Sequence, residues 1–296
     1  MLYEIHNTGF ASVIIEDEIL HEIGSGYEFT EGPVWNPHED HLTFSDIAGD
    51  TMYRWYWNGP APEVFRRPSR MANGNTYDAE GRLLTCEHAT SRVVRLEADG
   101  TLVILATHFG DKELNSPNDI IVSRSGAIWF TDPLPGRKPF FGVPRDQELD
   151  FQGVWRIAPG ASNAEPVLTD FELPNGLCFS PDETVLYVND TPKGHIRRFA
   201  VANDGSLSGG EIFAILEGEG EGMPDGLKTD VDGRVWCTGP GGIHVFGSDG
   251  TSLGVIKLPQ KTANFGWGGP DRRTLFTTSS TSVYRLRVAV AGNALF

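Results

Sequence analysis

The chain has 296 residues, a formal net charge of −16, 35 glycines and 19 prolines. That charge argues against nucleic acid or an anionic membrane surface as partner, because phosphates would be repelled. No run of about 18 apolar residues offers a membrane-spanning helix, and the Gly and Pro content suits an all-β chain with many turns.

The first residues, MLYEIHNTGF, lack the basic and apolar stretches of a secretory leader. Cys86, Cys178 and Cys237 are an odd set without metal-type spacing; they are expected to be small buried thiols in a reducing compartment. Both readings lead to an expected cytoplasmic location. Residues 11–15 are expected to form either an extra edge strand or a cap.

From residue 31 one pattern recurs six times. An oxygen-bearing head residue is followed by a short apolar strand, then by a polar turn seven positions after the head, then by a second strand. In chain order the heads and turns are Glu31 with His38, Asn73 with Glu80, Asn118 with Ser125, Asn175 with Asp182, Asp225 with Asp232, and Asn264 with Asp271. Successive heads are 42, 45, 57, 50 and 39 residues apart. Third strands follow (MYRWYWNG, RVVRLEADG, GVWRIAPG, HIRRFAVANDG, GIHVFGSDG), and fourth strands precede the next head (EVF, TLVILA, EPVLTDF, EIFAIL, SLGVIKL). Strand-rich units of about 40–50 residues are the mark of propeller blades. The prediction is therefore a six-bladed β-propeller forming one domain over residues 1–296. The sixth unit ends after its third strand, SVYRLRV. Residues 18–23 (EILHEI) are expected to supply the missing strand and close the last blade, which removes exposed sheet edges. The third unit carries an insertion at 133–152 with four prolines, unsuited to a helix. It should overhang the mouth as a lid, with Phe140, Phe141 and Arg137 as candidate contacts.

The innermost strand starts at the head and the second strand returns antiparallel. All six heads therefore share one mouth, joined by the second-strand ends Asp46, Glu87-His88, Asp132 and Asp190. Any single head could be an ordinary turn former. Two carboxylates and four carboxamides around one axis are more specific, and they match the oxygen preference of a hard divalent cation. Calcium, which takes roughly 6–8 oxygens, is the first candidate; magnesium, manganese and zinc also use oxygen ligands, although zinc usually adds His or Cys. Asn73, Glu87, His88, Asp132 and Arg137 are the candidate substrate contacts.

The motifs EGPVW, LNSPNDIIV with WFTDP, LPNGLCFSPDETVLYVND and MPDGLKTDVDGRVW resemble the gluconolactonase, regucalcin and luciferin-regenerating enzyme family, in the family's order, over most of the chain. The resemblance implies a six-bladed propeller with one axial divalent metal and hydrolysis of sugar lactones. It also implies that Glu31, Asn175 and Asp225 hold the metal and that Asn118 is a ligand or binds water and substrate. Animal members carry a sugar-contacting Arg two residues before the Asn matching Asn118; here that position is Ser116, and Arg137, Lys138 or His88 are the nearby groups to replace it.

A metal on the axis would act as Lewis acid on the lactone carbonyl, and Asp225 is the expected general base. Two other readings stand beside this one: a metal-dependent phosphotriesterase on the same ring, and a non-catalytic binding propeller. No G-x-S-x-G elbow supports a serine nucleophile. The expected partner is a small sugar lactone, and the oligomeric state is left open.

Overall fold

In a computed structural model, in which residues 2–294 are described, each repeat folds into a four-stranded antiparallel sheet. The inner strands of blades 1 to 6 are Thr30–Asn36, Ala72–Tyr77, Ile120–Val122, Pro174–Phe179, Leu227–Thr229 and Thr262–Gly268. Among the described residues there is no α-helix, and no helix is long and apolar enough to cross a membrane. The result is the expected six-bladed propeller.

The N-terminal strand closes the last blade. His21–Ser25 pairs antiparallel with Ser282–Arg287, with His21 opposite Arg285. It starts three residues later than the predicted segment because the Glu18 N–H turns back to the Ile15 carbonyl at 3.2 Å. The extra edge strand is Tyr3–Ile5, which lies on blade 5 against Ser252–Lys257. Residues 11–15 act instead in a cap: a short 3-10 turn, Thr8–Ser12, buries Phe10, and Val13 follows it into the core.

Apolar side chains occupy every seam between neighbouring blades. Val34 and Met52 of blade 1 meet Ala72 and Leu83 of blade 2. Trp129 and Val154 of blade 3 meet Leu177 and Leu186 of blade 4. The closing seam packs Trp35 of blade 1 parallel to Phe276 of blade 6, at 5.5 Å between rings. All three cysteines are buried thiols in this packing, as expected.

Two backbone devices draw the inner strands together at one end. Register shifts occur at the heads of blades 1, 2, 4 and 6, for instance between Glu31 and Val34 and between Pro174 and Leu177. Such bulges re-aim side chains out of the alternating pattern. Glycine after a head also lets the next blade approach: a Cβ on Gly176 would lie 2.1 Å from the Asp225 carbonyl oxygen, and one on Gly226 would lie 2.3 Å from Asn264 Oδ1. Small polar side chains on the second strands of blades 1, 4 and 5 then tie to the head segment of the next blade. Ser45 Oγ donates to the Asn73 carbonyl at 2.8 Å, and Asn189 Nδ2 donates to the Asp225 carbonyl at 2.6 Å.

Candidate active site

Glu31, Asn73, Asn118, Asn175 and Asn264 are buried, whereas Asp225 keeps part of its surface open. The Glu31 oxygen Oε2 accepts from Gly32 N–H at 2.6 Å and from Asn264 Nδ2 at 3.0 Å, which leaves Oε1 over. Asn264 Oδ1 is occupied by the Phe265 N–H, so this head orients Glu31 rather than facing the axis itself. Asn175 Nδ2 donates to Thr191 Oγ1 at 3.2 Å, and its buried Oδ1 has no hydrogen-bond partner. Asn118 is fixed through its backbone, donating to Thr131 and accepting from Gly74, both at 2.8 Å.

The two acidic heads share a field. Burial, followed by the charge of Asp119, pushes Glu31 up to about 7, against the Gly32 and Asn264 hydrogen bonds. Burial and then the Glu31 charge raise Asp225 well above the carboxylate range; Lys261 and the Asn175 side chain pull the other way. Two carboxyls that disfavour joint ionisation, next to an unpartnered amide oxygen, form a set that a cation would complete. Among the described residues no three His, Cys, Asp or Glu side chains cluster as metal ligands. The donor set is a mixture of carboxylate and carboxamide oxygens, which suits a hard cation rather than zinc.

A family model described as SMP-30/Gluconolactonase/LRE-like region matches residues 29–281. The chain belongs to this family. A gluconolactonase of Zymomonas mobilis is 28% identical over 91% of this chain and 81% of its own. A solved gluconolactonase structure from Xanthomonas campestris is 36% identical, covers 97% of this chain and 95% of its own, and superposes with a TM-score of 0.90. A calcium-binding protein, regucalcin, from Agrobacterium tumefaciens has the same fold, with a TM-score of 0.78 at 21% identity over 93% of this chain and 95% of its own.

Within this member of the SMP-30/gluconolactonase family, the insertion builds one wall of the mouth. It leaves blade 3, passes over blade 2 and reaches blade 1. Phe141 O accepts from His88 Nδ1 at 2.8 Å, and Phe140 and Phe141 pack edge-on against Phe29 at 6.3 and 5.0 Å between rings. A carbonyl only accepts, so His88 carries its proton on Nδ1 and its Nε2 must accept from Asn73 Nδ2 at 3.0 Å. This fixes the Asn73 amide, and its Oδ1 is buried without a partner. Burial also holds His88 down to about 4, so the ring is neutral. Ser116 sits under the insertion, donating to Pro133 O at 2.6 Å and accepting from Gly136 N–H.

Several expected contacts turn out to be spent on structure. Glu87 is fully buried, and its oxygens accept from Arg66, Arg92 and Thr90 at 3.1, 2.6 and 2.8 Å. The Arg137 guanidinium is buried among Asn115 O, Leu114 O, Asp146 O and Glu113. Asp132 accepts from Asn115 N–H at 2.8 Å, and burial raises its carboxyl to about 7. It repeats what Asp46 does for Phe29 and Asp190 for Leu173, clasping the backbone just before a head. Glu87 and Arg137 therefore support the mouth without offering it a free group, whereas Asp132 keeps one buried oxygen, Oδ1, without a partner. The axial Asp119 and Lys228 were absent from the sequence-level site. Asp119 adjoins the head Asn118, and its own hydrogen bonds appear only in three dimensions.

Proposed function

We propose that the chain hydrolyses a sugar lactone to the aldonic acid with one divalent cation, calcium first. Glu31, Asn175 and Asp225 would hold the cation, and Asn118 would complete the set or bind water and substrate. The observation that carries this reading is the pair of mutually destabilised acids, Glu31 and Asp225, beside the orphaned Asn175 oxygen. The lactonase names of the family relatives support the reaction class, and the regucalcin-type relative supports the ion.

The bound cation would supply Lewis acidity to the lactone carbonyl and stabilise the oxyanion that forms. The remaining chemistry belongs to the chain. Asp225, partly open to the mouth, takes a proton from water as the water oxygen bonds to the carbonyl carbon. The ring C–O bond then breaks, and the departing alkoxide oxygen recovers the proton from Asp225. Asn73 Oδ1, held by the His88 relay, accepts from a sugar hydroxyl, and Phe140 with Phe141 walls off water on that side.

The test is a pH-stat assay on a panel of aldonolactones with metal-stripped and calcium-reconstituted protein. Hydrolysis should disappear on stripping and return with calcium, and an organophosphate should react far more slowly. Full lactonase activity in protein shown by elemental analysis to be metal-free would overturn the reading.

A further inference from the structure

Beyond the heads, the tunnel is crossed by an ion pair that this chemistry leaves unused. Lys228 Nζ, on the inner strand of blade 5, donates to Asp119 Oδ2 of blade 3 at 3.2 Å. Blades 3 and 5 are not neighbours, so the pair spans the tunnel rather than a seam. Asp119 is 3% exposed; its Oδ1 accepts from Ile120 N–H at 2.9 Å, and its own N–H donates to Thr131 Oγ1. Lys228, its side chain 24% exposed, also borders a cavity of about 110 Å³ lined by the apolar Trp35, Ile120 and Trp267 and the polar Asn75, Thr229 and Glu183. Asp119 directly follows the head Asn118, and Lys228 stands three residues past the head Asp225, so the pair lies one step along the tunnel from the heads.

We propose that the Lys228–Asp119 pair forms the floor of the axial site and sets its affinity for a divalent cation, without touching the cation. Lys228 cancels the third axial carboxylate, so the ion meets two net negative charges. Asp119 in turn keeps a bare ammonium from repelling the ion. The inference rests on the divalent-cation reading above. At an effective dielectric of about 20, one unit charge roughly 10 Å from a divalent ion changes its affinity by at least about tenfold.

The experiment is calorimetric titration of the metal-stripped full chain with calcium chloride, with circular dichroism to confirm folding. Asp119→Asn should weaken calcium binding at least about tenfold and Lys228→Gln should tighten it. The double variant should return to within roughly threefold of wild type, and Lys228→Arg should match wild type, if charge alone is the cause. Unchanged affinity in both single variants, or a double variant as weak as Asp119→Asn, would overturn the proposal. If Asp119→Asn does not fold, Lys228→Gln against Lys228→Arg decides by the same comparison. A wild-type chain that takes up no calcium sinks the cation reading and this inference together; a wild type that binds beside indifferent charge variants sinks this inference alone.

Discussion

The shared field of Glu31 and Asp225 makes the metal-free protein sensitive to alkali. Glu31 moves from an ordinary 4.5 to about 7 in the folded chain, chiefly through burial. Below 4.5 both folded and unfolded chains hold the proton and nothing is lost. Between 4.5 and 7 the folded chain holds it and the unfolded chain does not, so stability falls as pH rises. Above 7 the loss is complete, on the order of 3 kcal/mol for this one group. For 296 residues, unfolding entropy near 2 cal/mol/K per residue turns that into about 5 °C in Tm. His88 and His41, both held down to about 4, contribute the opposite slope, but only below their unfolded value of 6.5. The clean window is therefore pH 6.5 to 8, which holds only the tail of that loss, under about 1 kcal/mol or about 1 °C in Tm. The assay is thermal unfolding of stripped protein across that window, wild type against Glu31→Gln, with and without calcium. Wild-type Tm should fall with pH more steeply than the variant's, and calcium should level the wild-type curve by favouring the ionised pair. Parallel curves for wild type and Glu31→Gln would refute the reasoning.

Three further outcomes follow from the same geometry. Asp225→Asn should lower kcat by about 10²- to 10⁴-fold in steady-state lactone assays with calcium saturating, as expected for loss of a general base; full kcat would remove that role. Replacing residues 138–145 by a short Gly-Ser linker should raise KM, since Phe140 and Phe141 wall the mouth and Phe141 O positions His88 and Asn73; an unchanged KM would reduce the insertion to a solvated loop. Gly226→Ala places a methyl 2.3 Å from Asn264 Oδ1 and 2.7 Å from its Cα, and should cost about 1–3 kcal/mol in denaturant titration.

The blade count and the phase of the heads were legible because both are local. A turn seven residues after each head fixes where an inner strand reverses, and apolar runs such as Leu177–Phe179 can only face a seam. Strand ends were less legible: Glu18 looks like strand but turns back on Ile15, a bond that alternation of side chains does not encode. The edge strand Tyr3–Ile5 was hidden for a similar reason. Its three residues pair with a strand some 250 positions away, and only Tyr3 among them is buried.

At the site, register predicts which end of the ring a residue occupies but not where its side chain points. Asp46, Asp132 and Asp190 do return to the mouth end, yet each turns aside to hold backbone N–H groups of the segment before a head. Glu87 was drawn away by Arg92, on the next strand of its own blade, and by Arg66, at the end of the outer strand of blade 1. One signal was available and unused. Ser45 and Asn189 each stand fourteen residues after their heads, Glu31 and Asn175, and Thr238 stands thirteen after Asp225; all three are small polar residues near the ends of buried second strands, and each donates to the backbone carrying the next head. A buried polar residue recurring at nearly the same offset needs a partner, and in a closed ring the next blade supplies it. The Lys228–Asp119 contact has no such signature. Its partners are 109 residues apart on blades that never touch in the seam, so only closure of the ring brings them together.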